Sequence, residues 1–191
     1  ALSRAPRSII GTYRPAVGDF DGNGRTDVLW HGSGSTADPM WWAGPTGYST
    51  QYVAVGGSYV PVVGDFDGNG VDDIFWYATG AATDYVWYFQ RDRTHASVAA
   101  RQDLISGIPL VGDLDGSGTD DIFFYGPGTA DDSLWRGTSQ HWTVTKPAVN
   151  GWYDPTVGDA TGEGRDDILW FSPGGTSSYR WEFNANGTAT S

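Results

Sequence analysis

Apolar and polar residues alternate along this chain in short bursts that never settle into a helical period. Stretches such as VPVVG (Val60 to Gly64) and DIFWY (Asp73 to Tyr77) are about five residues long and bounded by Gly, Asp and Thr, the pattern of strands closed by turns. Between residues 57 and 104 the pattern predicts four strands: Val60 to Gly64, Asp73 to Tyr77, Tyr85 to Phe89 and His95 to Arg101. No segment sustains apolar residues at a 3.6-residue step, so negligible helix is expected. The fold class expected is all-β.

The bursts recur. GDFDGNGRTD at Gly18 returns as GDFDGNGVDD at Gly64, as GDLDGSGTDD at Gly112 and, altered, as GDATGEGRDD at Gly158. Asp19, Asp65, Asp113 and Asp159 are separated by 46, 48 and 46 residues. The same step carries a proline before each loop (Pro15, Pro61, Pro109, Pro155) and an aromatic after it (Trp30, Trp76, Phe124, Trp170). It also carries a glycine (Gly34, Gly80, Gly128, Gly174) and a further tryptophan (Trp41, Trp87, Trp135, Trp181). Four short antiparallel strands per unit, at a period of this size, is the cue for β-propeller blades. One domain over residues 1–191 is expected, with units at about 11–56, 57–104, 105–150 and 151–191.

The termini bear on closure. After Trp181 the chain reads EFNANGTATS, with a hairpin turn at Asn186-Gly187, and is expected to stop before a fourth strand can form, leaving unit four one strand short. RAPRSIIGTYRP near the start matches the strand-and-connector TQYVAVGGSYVP of a later unit. Residues 1–10 are therefore expected to complete the last blade and close a four-bladed ring, removing two exposed edges. The alternative is a dimer that exchanges these strands to build an eight-bladed ring.

The recurring loop concentrates oxygen ligands. Carboxylates and amides at positions 1, 3, 5 and 9 of a glycine-kinked loop can converge on one point, joined by the carbonyl of position 7. Such a set suits a hard cation with many oxygen ligands, Ca²⁺ rather than Zn²⁺. The first set is Asp19, Asp21, Asn23, the Arg25 carbonyl and Asp27; the second is Asp65, Asp67, Asn69, the Val71 carbonyl and Asp73. The third is Asp113, Asp115, Ser117, the Thr119 carbonyl and Asp121. The fourth, Asp159, Thr161, Glu163, the Arg165 carbonyl and Asp167, departs at positions 3 and 5. Three or four structural Ca²⁺ ions are expected. An EF-hand is excluded by Trp30, Trp76, Phe124 and Trp170, which stand where its twelfth-position Glu belongs. The bland alternative is a set of Asx-turns with solvated carboxylates.

Composition narrows the functions. With 23 acidic and 11 basic residues the net charge is −12, which argues against nucleic acid and anionic membranes as partners. No run of about 18 apolar residues is present, so membrane insertion is not expected. Without cysteine there is no disulfide, thiolate metal site or catalytic thiol. The three histidines, His31, His95 and His141, fall at unrelated places in the repeat and read as surface or strand-edge residues. No nucleophile elbow, zinc-protease motif or P-loop occurs. The acidic pairs are already explained by the loops, so no enzyme is expected.

GDFDGNGRTDVLW and its copies resemble the FG-GAP or VCBS-type repeat, the calcium-loop blade of integrin α-subunit propellers and of secreted lectins, over essentially the whole chain. The resemblance implies a β-propeller with structural Ca²⁺ between the first two strands of each blade, in a secreted or cell-surface setting. Fold does not fix ligand. The expected role is a binding module for extracellular carbohydrate or cell-wall polysaccharide, with a non-catalytic scaffold of a secreted protein as the alternative. The ten tryptophans include recurrent ones expected in the core. Aromatics on the opposite strand face, foremost Trp42, Tyr77, Tyr125 and Trp152, are the expected stacking platforms.

Overall fold

A computed structural model describes residues 9–34, 37–78, 82–100, 107–139, 141–175 and 177–190. Among these there are sixteen strands and no helix. Sheet one contains β1 (Arg14–Gly18), β2 (Asp27–His31), β3 (Ala37–Gly44) and β4 (Gly47–Ala54). Sheet two contains β5 (Tyr59–Gly64), β6 (Asp73–Ala78), β7 (Tyr85–Phe89) and β8 (His95–Ala99). Sheet three is β9 (Ile108–Gly112), β10 (Asp121–Tyr125), β11 (Ser133–Thr138) and β12 (His141–Thr145). Sheet four is β13 (Asp154–Gly158), β14 (Asp167–Phe171), β15 (Tyr179–Phe183) and β16 (Ala189–Thr190). Each is an antiparallel meander in chain order. The four strands expected between residues 57 and 104 are present within one or two residues; Arg101 lies outside the described residues.

The register accounts for the recurrent proline. Pro15, Pro61, Pro109 and Pro155 sit opposite Trp30, Trp76, Phe124 and Trp170. Each proline lies on the first strand, an edge of its sheet, where a residue without an N–H can be tolerated.

The sheets stack face to face in series. One core joins Leu29, Met40 and Trp42 of sheet one to Ile74, Trp76 and Trp87 of sheet two. The second joins Phe75, Tyr77 and Tyr88 to Ile122, Phe124 and Trp135. The third joins Phe123, Tyr125 and Leu134 to Ile168, Trp170 and Phe183. Strands β6 and β10 are buried at every residue because both faces are covered. β2 and β14 alternate because each belongs to a sheet with only one covered face.

A two-bond clasp joins each sheet to the next. The Asp19 N–H donates to the Asp72 carboxylate at 2.6 Å, and the Asp72 N–H donates back to the Asp19 carbonyl at 3.1 Å. Asp65 and Asp120 repeat it at 2.8 and 2.8 Å, and Asp113 and Asp166 at 3.1 and 2.9 Å. Thr26 stands at the equivalent position of sheet one. Beside the clasps the chains come close: a Cβ on Gly64 would lie 2.7 Å from Asp120 Oδ2 and 2.8 Å from a Val111 methyl. At Gly158, in sheet four, a Cβ would meet nothing within 4 Å. The described residues thus form an open series of sheets.

The expectation that the last unit stops before a fourth strand is corrected. The fourth strand of sheet four is Ala189–Thr190, which pairs with Glu182 and Phe183 after the Asn186-Gly187 turn. Two residues suffice for a ladder where the turn returns the chain directly. Ile9 and Ile10 are not in a strand, and residues 1–8, where the closing strand was expected to begin, lie outside the described residues.

Gly64→Ala should lower stability by about 1–3 kcal/mol, since the added methyl has no room between two sheets. Gly158→Ala should change it by less than about 0.5 kcal/mol. Urea unfolding compares the two; equal losses would mean that Gly158 is covered like its equivalents.

Candidate metal centres

Each loop spans the turn from the first strand of a sheet to the second, and its backbone is the same in all four copies. The glycines at positions 4 and 6 take positive φ throughout, from +62° at Gly22 to +83° at Gly164. That left-handed geometry turns successive N–H groups onto the first carboxylate. Asp19 accepts from Asn23 N–H at 3.0 Å and Gly24 N–H at 2.7 Å. Asp65, Asp113 and Asp159 accept from the matching groups, among them Gly70, Gly118 and Gly164 at 2.8, 2.9 and 2.9 Å.

Position 9 opens the second strand and is fully buried. Asp27 accepts from the Phe20 N–H at 3.0 Å with one oxygen and from the Ala43 N–H at 2.6 Å with the other. It thereby ties the loop to the end of the third strand. Asp73 does the same with Phe66 and Phe89 at 3.0 and 2.7 Å, and Asp121 with Leu114 and Gly137 at 3.2 and 3.0 Å. Asp167 accepts from the Ala160 N–H at 3.2 Å, and its Oδ1 is buried without a partner.

Positions 5 and 7 share one task. The carbonyl at the end of the third strand accepts from Asn23 Nδ2 at Ala43 (3.0 Å) and from Asn69 Nδ2 at Phe89 (2.9 Å). In the third loop Thr119 Oγ1 donates to Gly137 at 2.7 Å, and in the fourth Arg165 Nε donates to Phe183 at 2.9 Å. The Ser117 hydroxyl lies 3.5 Å from the Thr119 carbonyl, which brings positions 5 and 7 together in the third loop. The Val71 side chain packs into the first core, whereas Arg25 is exposed.

Positions 1, 3 and 9 converge in three of the loops. Carboxylate oxygens of Asp19, Asp21 and Asp27 lie within 4.8 Å of one another, as do those of Asp65, Asp67 and Asp73 and those of Asp113, Asp115 and Asp121. These groups could hold a metal ion, and the donor set fits one. Asp21 Oδ1 and Asn69 Oδ1 are buried with no hydrogen-bond donor. In the first loop Arg93, from the next sheet's hairpin, also contacts Asp21 Oδ2 at 2.7 Å and lies 5.0 Å above the Trp42 ring. The fourth loop differs: Thr161 offers no carboxylate, and Glu163 pairs with Arg165 at 2.5 Å.

Burial and mutual repulsion act on these acids together. Burial, chiefly, pushes the Asp27 carboxyl up to about 6, Asp121 to about 7 and Asp73 to about 8, with the position-1 and position-3 charges adding to the rise. In the fourth loop the exposed Asp159 is held below the usual carboxylate range, mainly by the Gly164 N–H.

The candidate stacking platforms separate. Trp42, Tyr77 and Tyr125 are buried in the cores between sheets: Tyr77 and Tyr125 lie in middle sheets covered on both faces, and Trp42 lies on the one covered face of sheet one. Trp152 is 75% exposed. His31, expected at a surface or strand edge, is buried against Trp76 and lies 3.2 Å from Asp38. His95 stacks on Trp87 at 4.1 Å, and His141 is exposed.

The roles of two recurrent acid positions escaped the sequence reading. Asp38, Asp84 and Asp132 are buried, follow the same 46- and 48-residue steps, and accept from Gly32, Ala78 and Gly126 N–H groups at 2.7 Å each. Ser178 takes that place in sheet four, accepting from Ser172 at 3.2 Å. The clasp acids Asp72, Asp120 and Asp166 are the second set. Spacing alone would have found both.

Protein-family models and curated proteins offer no match to this chain.

The raised carboxyls give the ion-free protein a definite pH dependence. Asp27, Asp121 and Asp73 hold their protons more tightly folded than unfolded, so this share of stability is full below about pH 4. It is lost as pH rises through about 6, 7 and 8 respectively. A bound divalent cation favours the ionised forms and reverses the slope. Melting temperature in chelator should fall between about pH 5 and 8, whereas with a divalent cation it should hold or rise. An identical fall in both would show that the clusters take no cation.

Proposed function

We propose that this chain is a calcium-stabilised, propeller-type module that binds extracellular carbohydrate and performs no catalysis of its own. The observation that carries the metal is the convergence of three carboxylates, within 4.8 Å, in three successive copies of one loop. An all-oxygen set without imidazole or thiolate favours Ca²⁺ among common divalent ions. Millimolar calcium outside cells suits sites of this type, which supports a secreted setting together with the resemblance to FG-GAP and VCBS repeats.

Three occupied loops would offset much of the crowding of negative charge that the raised carboxyls record. They would also cross-link sheets, since each loop abuts the clasp to its neighbour. In the propeller reading the free faces of sheets one and four meet, within one chain or between two. Carbohydrate is favoured by exposed aromatic rings on an acidic, uncharged-ligand-tolerant surface: Trp152, Tyr52, Phe171 and Tyr179 all present area to solvent. Several weak sites on one body gain by effective concentration on a polysaccharide. The scaffold reading draws on the burial of Trp42, Tyr77 and Tyr125, which spends most aromatic surface on packing.

With a Kd near 0.1 mM, calcium at about 1 mM would add about 1.4 kcal/mol per site, or about 4 kcal/mol over three. Excess EGTA should lower the melting temperature by many degrees. Asp67→Ala and Asp115→Ala should each shrink that shift, and Thr161→Ala should leave it nearly whole. A melting curve indifferent to EGTA would exclude calcium. Retention on a panel of soluble glycans and cell-wall preparations, with calcium present, tests the carbohydrate reading; retention on none of them favours the scaffold.

A further inference from the structure

Three concave sites recur at one place in the repeat. In sheet two a cavity of about 280 Å³ lies between Ala54–Gly56, the chain leading into the sheet, and a wall of Tyr59, Trp76, Tyr85 and Trp87. In sheet four one of about 310 Å³ lies between residues 148–150 and Tyr153, Trp170, Tyr179 and Trp181, which are the equivalent positions. In sheet one a cavity of about 390 Å³ is lined by Ile9, Ile10, Tyr13 and Trp41 of the same positions and by Tyr52, but Pro39 stands where the other two have their second tyrosine, and Trp30 is not in its wall.

The walls of the second and fourth copies are nearly superposable in geometry. Tyr59 meets Tyr85 edge-on at 6.4 Å and Tyr153 meets Tyr179 at 6.1 Å. The two tyrosines stand 6.2 and 6.0 Å from Trp76 and Trp170, which in turn meet Trp87 and Trp181 at 5.0 and 5.4 Å.

A short motif builds each wall: Gly11-Thr12-Tyr13, Gly57-Ser58-Tyr59 and Gly151-Trp152-Tyr153. Each glycine has φ between +115° and +139°, and a Cβ there would lie 2.6, 2.9 and 2.7 Å from the tyrosine ring that follows. Only glycine lets that ring fold back over the connector. Bridges between Gly34 and Gly57 and between Gly128 and Gly151 then pin two of the connectors. Sheet three has Gly107, Phe124 and Ser133 where its neighbours have Tyr, Trp and Tyr, so it lacks the side chains of the wall.

Chemistry narrows the occupant. No acidic or basic side chain lines the second or fourth copy other than His95, whose burial pushes its pKa down and keeps it neutral. A net charge of −12 disfavours anions such as nucleotides or uronic acids. The indole rings of Trp76 and Trp170 back the two walls, with their N–H groups buried behind them. Uncharged aromatic faces of this kind match a ring with apolar C–H faces.

We propose that sheets two and four each carry one copy of a shallow site for a neutral pyranoside, seated between the Gly-x-Tyr connector and the paired tryptophans. The site rests on the carbohydrate reading above and gives it an address. It is absent from sheet three and does not include Trp152.

Indole N–H signals of ¹⁵N-labelled protein, in calcium, titrated with methyl glycosides of glucose, galactose, mannose and N-acetylglucosamine, test it. One of these sugars should move the signals of Trp76 and Trp87 and of Trp170 and Trp181. Tyr85 and Tyr179, 36% and 49% exposed, can be truncated without opening the core. Tyr85→Ala should weaken the response about tenfold at the first pair and spare the second, and Tyr179→Ala should do the reverse. If glycans bind while these indoles stay still, or if Trp152→Ala alone abolishes binding, the pockets are not the sites although the carbohydrate reading survives. If no sugar moves any indole and no polysaccharide retains the protein, both fall together.

Discussion

A carboxylate buried at the first residue of the second strand is the constraint on which the rest depends. Asp27, Asp73, Asp121 and Asp167 have no solvent exposure, and a bare charge there would cost far more than a fold of this size can spare. In the first three copies both oxygens are met by backbone N–H groups, one from the loop and one from the end of the third strand. Three strands and a loop are thereby held to one side chain. The hydrogen bonds offset the burial only in part, as the raised carboxyls record. The first three clusters could hold a cation there, whereas in the fourth loop Glu163 pairs with Arg165 and Asp167 Oδ1 stays buried without a partner.

The same unit behaves differently according to what stands beside it. Between two neighbours, β6 and β10 lose their alternation and bury every side chain. At the ends, Phe171 and Leu169 of sheet four remain exposed, and Arg180 and Glu182 pair with each other on positions that are apolar in sheets one and two. The acid of the clasp is likewise missing from sheet one, where Thr26 replaces it. Both departures fall on faces that meet no other sheet among the described residues. Variation within the repeat thus follows position in the series.

Aromatic residues serve two ends in this architecture. Alternation along a strand sends Trp76 and Tyr77 to opposite faces, and in a sheet with a neighbour on each side both faces are core. That is why adjacency to a core tryptophan was a poor guide to an exposed platform. Exposure arises instead where a connector crosses a sheet and leaves a gap, as beside Tyr59 and Tyr153.

The repeat step, the strand positions, the glycine-kinked loops and the convergence of positions 1, 3 and 9 were all legible in the residues, because each is set by local backbone geometry and by spacing within one unit. Asp38, Asp84 and Asp132, and the clasp acids, were legible too, since they keep the same step, but their partners are backbone groups that leave no mark in composition. Tertiary structure alone decided the remainder. It buried Trp42, Tyr77 and Tyr125, drew the last strand from Ala189–Thr190, placed His31 against a neighbouring sheet and set Arg93 on Asp21. Each of these depends on which surface a second sheet covers. Burial is a property of neighbours, and neighbours separated by a whole repeat are not encoded in the pattern of any one strand.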